Sequence, residues 1–371
     1  MKPSWPKIIA NINNGKITKN STQTEKVLVF IFVLFCLLFT RTASAESLPA
    51  TVTVGSIPYG IAYDSTKGEI FVTNAASNTV SVISDSNDTV VDTIPVGAAP
   101  HGIAYDQAKD EMFVANLLSN TVSVISDSDD TVVNTIQVGA APHGIAYDSL
   151  RGEVFAANEK SSTVSVISDK TNAVVATVPV GNYPFDIAYD SGTDELFVTS
   201  TNSTVSVISA KTDTVVATVP VGNYPFAIAY DSGTDELFVT STNSTVSVIS
   251  DKTDTVVATI PVGNYPYYLA SGPKGEMFVT KYNSDTVSVI SDKTDTVVAT
   301  VPVGKIPFGA VYDPEKGQIF VTIHNSNAVS VVSYSSPLSV PEFGPLAIMV
   351  TAISIVGVIL ISSKLRFQFS K

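Results

Sequence analysis

The residues best placed to do chemistry in this chain recur at a fixed interval. A glycine stands three residues before a proline at Gly55/Pro58, Gly97/Pro100, Gly139/Pro142, Gly181/Pro184, Gly222/Pro225, Gly263/Pro266 and Gly304/Pro307, with spacings of 42, 42, 42, 41, 41 and 41. The residue after each proline is flat: Tyr59, His101, His143, Phe185, Phe226, Tyr267 and Phe308. Such a set either stacks against a ligand or peptide, or buries its rings against one another. His101 and His143 belong to it, and His324 is the remaining histidine. Imidazole is a common metal ligand. No acidic residue accompanies the three at ligand spacing, however, so no metal site is expected from them. The next position reads Gly60, Gly102, Gly144, Asp186, Ala227, Tyr268 and Gly309. Asp186 is the one acid, and an acid beside an aromatic ring suits cation binding or catalysis. The competing explanation is drift after duplication, because residues 222–250 repeat 181–209 with Asp186→Ala227 as the single change.

Carboxylates also recur. Asp64, Asp106, Asp148, Asp190, Asp231 and Asp313 close one segment of the repeat, and Glu69, Glu111, Glu153, Glu195, Glu236 and Glu276 open the next. They form either a calcium-binding rim or turns in which Asp accepts nearby backbone N–H groups. Repetition in almost every unit favours turns. The acidic run "SDSDDT" at 126–131 lacks the glycine and distal glutamate of a calcium loop. No nucleophile elbow, phosphate loop or paired-cysteine motif appears, so the sequence nominates no catalytic residue and no cofactor. Asn87, Asn202 and Asn243 sit in Asn-x-Ser/Thr sequons, which outside a cell can carry glycans.

These residues need a scaffold with a period near 40, the mark of stacked supersecondary units. In the fourth unit, residues 185–190, 195–199, 204–209 and 214–221 are short runs rich in Val, Thr, Ile and Phe, separated by Gly, Asn, Asp and Ser. Each is strand-like. No repeat segment carries a helical apolar period. A unit is therefore four antiparallel strands, A to D. The continuous apolar run "ELFVT" suits a strand covered on both faces. A lone four-stranded sheet cannot cover itself, and stacking sheets about an axis can, which gives an all-β propeller. Pro95, Pro179, Pro220, Pro261 and Pro302 fall in strand D, with Gln137 the departure. Proline cannot donate to a ladder, so strand D is the outer edge. The seventh unit lacks a strand D, whereas residues 51–54 before Gly55 read like one. The reading is a seven-bladed β-propeller of four-stranded antiparallel blades, closed by an amino-terminal strand that latches the last blade. The D-to-A and B-to-C loops then share one face, so the seven flat residues ring one mouth of the channel.

The ends suggest export. Residues 27–40 (VLVFIFVLFCLLFT) follow several lysines and precede Ala43-Ser44-Ala45, the layout of a secretory signal peptide with a long amino-terminal region, spanning 1–45. The single cysteine, Cys36, lies inside that run, so disulfides do not staple the remainder. The expected propeller spans 46–336, a linker 337–345, a transmembrane helix 346–363 and a basic cytoplasmic tail 364–371. From Glu46 to Phe343 there are 12 lysines and arginines against 33 aspartates and glutamates, a balance of −21. Such a surface repels nucleic acid and anionic lipid.

The text "IFVTN" at 70–74, "MFVAN" at 112–116 and the flanking "GIAYD", "NTVSVISD" and "TIPVG" resemble the YVTN-type β-propeller repeat, with Phe in place of the family's Tyr. The resemblance covers about residues 51–334 and implies the propeller fold; the family includes archaeal surface-layer and other exported proteins. Pro341, Glu342, Phe343 and Gly344, followed by an apolar run and a basic end, resemble the sorting tails processed by archaeosortases. That implies cleavage near the motif and a lipid anchor; a plain membrane anchor is the alternative. The expected role is an exported, surface-anchored binding or structural module. Its partner would be an extracellular protein, glycan or small molecule at one propeller face, contacting Tyr59, His101, His143, Phe185, Asp186, Phe226, Tyr267 and Phe308. The alternative is a hydrolase or lyase of the propeller lactonase kind at the channel mouth.

Overall fold

A computed structural model describes residues 49–336. The expected signal peptide with Cys36, the linker, the sorting motif at Pro341–Gly344, the 346–363 span and the basic tail lie outside the described residues. The described chain forms 28 strands in seven four-stranded sheets. Blades 1 to 6 each take four consecutive strands. They cover residues 58–95, 100–137, 142–179, 184–220, 225–261 and 266–302. Blade 7 takes Pro307–Asp313, Gln318–Ile323 and Ala328–Ser333, and its outer strand is Ala50–Thr53. The latch therefore begins one residue earlier than the 51–54 expected. It pairs antiparallel with Ala50 opposite Val331 and Thr53 opposite Ala328. The Val54 N–H then donates to the Asn327 carbonyl at 2.9 Å.

Each blade buries both faces because its second and third strands are buried along nearly their whole length and carry apolar residues at most of those positions. Phe71, Phe113, Phe155, Phe197, Phe238, Phe278 and Phe320 are fully buried, one per blade. Between blades 1 and 2, Phe71, Val80, Val82 and Ile94 meet Ile103, Met112, Val114 and Ile125. At the ring closure, Val52, Phe320, Val329 and Val331 meet Ile61, Ile70, Val72 and Ile83. The latch thus contributes to the core as well as to the ladder. The outer strand is exposed along most of its length, and its proline comes last, as Pro95 opposite Thr79 illustrates. Proline there withholds a donor from an open edge. Gln137 takes that place in blade 2, where its Nε2 donates to the Asn120 carbonyl at 2.8 Å.

A bulge near the start of every inner strand aims the repeat's flat residues at the channel. In blade 1 the register shifts between Pro58 and Ile61, leaving Tyr59 and Gly60 outside the regular pairing. Thr73 holds this bulge: its hydroxyl accepts the Gly60 N–H at 2.8 Å and donates to the His101 carbonyl of blade 2 at 2.7 Å. Thr199, Thr240, Thr280 and Thr322 form the same clasp onto the next blade, while blades 2 and 3 carry Ala115 and Ala157 there. The inner strands approach closely at these points. A Cβ on Gly60 would lie 2.2 Å from the His101 carbonyl oxygen, so glycine is required by space.

Candidate functional site

The seven flat side chains form an unbroken ring. Centroid separations run 4.1 Å for Tyr59–His101, 4.7 Å for His101–His143 and 3.7 Å for His143–Phe185. They continue at 5.2 Å for Phe185–Phe226, 4.8 Å for Phe226–Tyr267, 4.4 Å for Tyr267–Phe308 and 4.8 Å for Phe308–Tyr59. The ring is also drawn in across the axis. The Tyr59 hydroxyl lies 2.5 Å from that of Tyr267 and 3.1 Å from His143 Nε2. Tyr267 comes from blade 6 and His143 from blade 3, so the residues make a plug across the mouth.

Tyr59, Tyr267 and His143 bond to one another across the plug, while His101 Nδ1 is buried without a hydrogen-bond partner. Burial lowers the His143 pKa well below the usual histidine range, and neighbouring His101 lowers it further, so its imidazole is neutral. A neutral imidazole has one N–H. The His143 ring donates to the Phe185 carbonyl, which in blade 3 has no threonine clasp because Ala157 stands there. Nε2 is then the acceptor for the Tyr59 O–H, and Tyr267 O–H donates to Tyr59. Burial also lowers His101 to about 4, with His324 adding to the shift. His324 stacks on Phe308 at 4.6 Å, one layer outward.

Below the plug lies a small chamber of about 30 Å³, lined by Tyr59, His143, Phe185, Asp186, Tyr267 and Tyr268 among others. One water needs roughly 10–15 Å³ by this measure, so the chamber suits a water or two rather than an organic substrate. Asp186 is the acid in its lining. Its Oδ2 accepts the Ile228 N–H at 3.1 Å. Burial raises its carboxyl to about 7, against the lowering effect of the Ile228 and Ile187 N–H groups. Gly144 makes room for it: a Cβ there would lie 2.6 Å from Asp186 Oδ1. Tyr268 lines the same chamber.

Among the described residues, one trio of His, Cys, Asp or Glu side chains brings ligand atoms within 4.8 Å of one another, and it is Asp64, Glu69 and Asp127. Asp64 and Glu69 flank the strand A to B turn of blade 1 and Asp127 follows the third strand of blade 2, so the trio lies at a blade junction and the histidines are not part of it. The recurring aspartates do form turns: Asp64 Oδ1 accepts the Thr66 N–H at 2.7 Å and Asp313 Oδ1 the Glu315 N–H at 2.8 Å. Asn87, Asn202 and Asn243 are exposed, and each accepts a bond from its own sequon threonine at 2.7–2.9 Å.

Sequence reasoning missed three residues on the mouth face. Tyr183, Tyr224 and Tyr265 are 54%, 61% and 47% exposed, on the D-to-A loops of blades 4, 5 and 6. Each has positive φ, at 51°, 45° and 49°, which is uncommon for a bulky residue. Blades 1, 2, 3 and 7 carry Ile57, Ala99, Ala141 and Ile306 at this place. The text "GNYP", present three times and only in consecutive units, was the available signal.

No protein-family model matches the chain, and no curated protein does. Solved structures do. The chain is similar to a Kuenenia stuttgartiensis hydrazine synthase structure at 18% identity and a TM-score of 0.68, covering 80% of this chain and 99% of that one. It is also similar to the Cps50 (Swd1) β-propeller domain of Myceliophteria thermophila at 10% identity and a TM-score of 0.68, covering 78% of this chain and all of that one. At such identities the likeness establishes the fold alone.

Proposed function

We propose that this protein is an exported, surface-anchored binding module that engages a neutral glycan through the plug face, over blades 4 to 6. The carrying observation is the arc of Tyr183, Tyr224 and Tyr265. Three exposed rings on adjacent blades, each preceded by an exposed asparagine, offer flat faces and amide groups together. Rings stack on the apolar faces of sugars, and amides bond hydroxyls. The acidic surface disfavours polyanions and leaves neutral glycans as the fitting class. The plug gives the arc a rigid base. Export and anchoring rest on the apolar and sorting-like segments of the sequence. The test is binding of the purified protein to a panel of neutral and anionic glycans. The expected result is retention of neutral glycans only; binding of anionic glycans alone would overturn the reading.

A hydrolase of the lactonase kind is the second reading, and Asp186 is the observation that favours it. Its carboxyl, raised to about 7 by burial, could exchange a proton near neutrality. Such an enzyme would have to open the plug to admit substrate to a chamber of this size. Hydrolysis lost on Asp186→Ala would support it, and hydrolysis that survives would remove Asp186 from the role.

A further inference from the structure

The last residue of each second strand lies under the loop that enters its own blade. It reads Asn74, Asn116, Asn158, Ser200, Ser241, Lys281 and Ile323 in blades 1 to 7. In blade 1 the Asn74 amide donates to the Thr79 and Ser81 hydroxyls at 3.1 and 3.0 Å, and Asn116 and Asn158 repeat both bonds. The loop glycine packs down on this residue. A Cβ on Gly55 would lie 2.6 Å from Asn74 Cγ, and one on Gly181 would lie 2.6 Å from Ser200 Oγ. In the asparagine blades the side chain is therefore both bonded and covered, as a buried polar group should be.

Blade 6 departs from this pattern. Among the described residues Lys281 is the one buried lysine or arginine, at 9% exposure. Its Nζ makes no hydrogen bond and no ion pair among them. Thr286, opposite Lys281 in the ladder, corresponds to Thr79, and its buried hydroxyl has no hydrogen-bond partner. The lysine therefore does not take over the asparagine's bonds and runs toward the loop instead. There the loop stands off. A Cβ on Gly263 would meet nothing nearer than Lys281 Cδ at 3.7 Å, with Nζ at 3.9 Å. Gly263 is exposed and has φ of 94°, whereas the marker glycines of blades 1 to 5 keep negative φ. The titratable groups on the two flanking loops are Tyr265, Tyr282 and Asp285, and none of them bonds to Nζ. Burial lowers the pKa of Lys281, and no neighbouring charge opposes it.

We propose that Lys281 is a reactive amine, held under the blade 6 loop, that captures a small neutral aldehyde. A buried ammonium without a counter-charge is costly. The site therefore favours the neutral amine, whose lone pair is a nucleophile toward carbonyl carbon. Nζ attacks that carbon, and one N–H proton passes to the carbonyl oxygen to give a carbinolamine. The new hydroxyl leaves with the second N–H proton as water, and an imine remains; no oxidant or reductant is consumed. An anion is the other way to meet a buried ammonium, but the balance of −21 from Glu46 to Phe343 repels anions. The opening lies beside a residue without a side chain, which suits a small carbonyl compound. Capture at Lys281 is independent of glycan docking on the tyrosine arc.

The folded protein is incubated with glycolaldehyde and cyanoborohydride, which reduces an imine to a stable secondary amine, and peptide mass spectrometry locates the adducts. Near neutral pH, Lys281 should be labelled several-fold faster than exposed Lys274 and Lys293. This lead should shrink as pH rises through about 10.4, the ordinary lysine value, and should vanish in chemically unfolded protein. Lys281→Met keeps the apolar stem and should fold, because Ile323 fills the same place in blade 7. That variant should lose the fast adduct and no other. Labelling of Lys281 no faster than that of Lys274 and Lys293 near neutral pH would overturn the proposal. So would a lead that survives unfolding, since burial would then not be its cause. Labelling suppressed by inorganic phosphate would also overturn it, since an anion would then be holding the ammonium.

Discussion

The two halves of the ring, blades 1 to 3 and blades 4 to 6, share one core and differ at both faces. On the channel, the first half presents Gly60, Gly102 and Gly144 and the second Asp186, Ala227 and Tyr268. On the plug face, Ile57, Ala99 and Ala141 stand against Tyr183, Tyr224 and Tyr265. On the opposite face, Lys67, Lys109 and Arg151 stand against Thr193 and Thr234, while blade 6 keeps a lysine, Lys274. Yet each half buries the same phenylalanine and valine layers. A blade must match its neighbours on both sides, so its core cannot vary freely, whereas its turns can. Function should therefore be sought where the turns depart from the repeat, in the second half.

The first way to break this comparison is to break the ring that both halves need. Deleting residues 50–54 removes the outer strand of blade 7 and buried Val52. The Tm should fall by several degrees; an unchanged melt would contradict the closed ring. Next in size, Phe155→Ala and Phe238→Ala remove fully buried rings, one from each half. Each should destabilise the protein by about 3–5 kcal/mol. Similar losses in chemical denaturation would sustain a common core, and a loss confined to one half would not. The clasp comes third. Thr199→Ala leaves the Asp186 N–H and the Phe226 carbonyl without their partner, and should lower stability by roughly 1–3 kcal/mol.

A smaller effect sharpens the contrast on the channel. His101 and His143 are held neutral in the fold, below the ordinary histidine value of about 6.5. Their stability contribution is present above that value and is lost as pH falls toward 4. Asp186 is raised to about 7, so its contribution is present at low pH and is lost as pH rises from about 4 through 7. The two effects oppose each other between pH 4 and 6.5. In Asp186→Asn the Tm should climb more steeply across that window than in the wild type. An identical slope, measured by melting at each pH, would show that Asp186 is not raised.

Much of the architecture was legible in the sequence. The Gly/Pro marker gave the blade count, the prolines of strand D gave the outer edge, and the absent seventh D strand gave the latch. Membership of the aromatic ring followed from the same register. That Tyr59 reaches across to Tyr267 and His143 was not legible, because it depends on how far the inner strands converge on the axis. Tyr183, Tyr224 and Tyr265 were passed over because they lie in the Gly–Pro punctuation, where positive φ and exposure are settled by the loop.

The claim that the second half carries the docking surface is tested most directly by one comparison of binding isotherms. A neutral glycan retained by the wild type is titrated into the Tyr183→Ala/Tyr224→Ala/Tyr265→Ala variant, with the melt recorded alongside. The rings are exposed, so the melt should be unchanged. Losing about 1 kcal/mol per ring should weaken binding roughly a hundredfold. An isotherm that coincides with the wild type's would place the docking surface elsewhere and contradict the account.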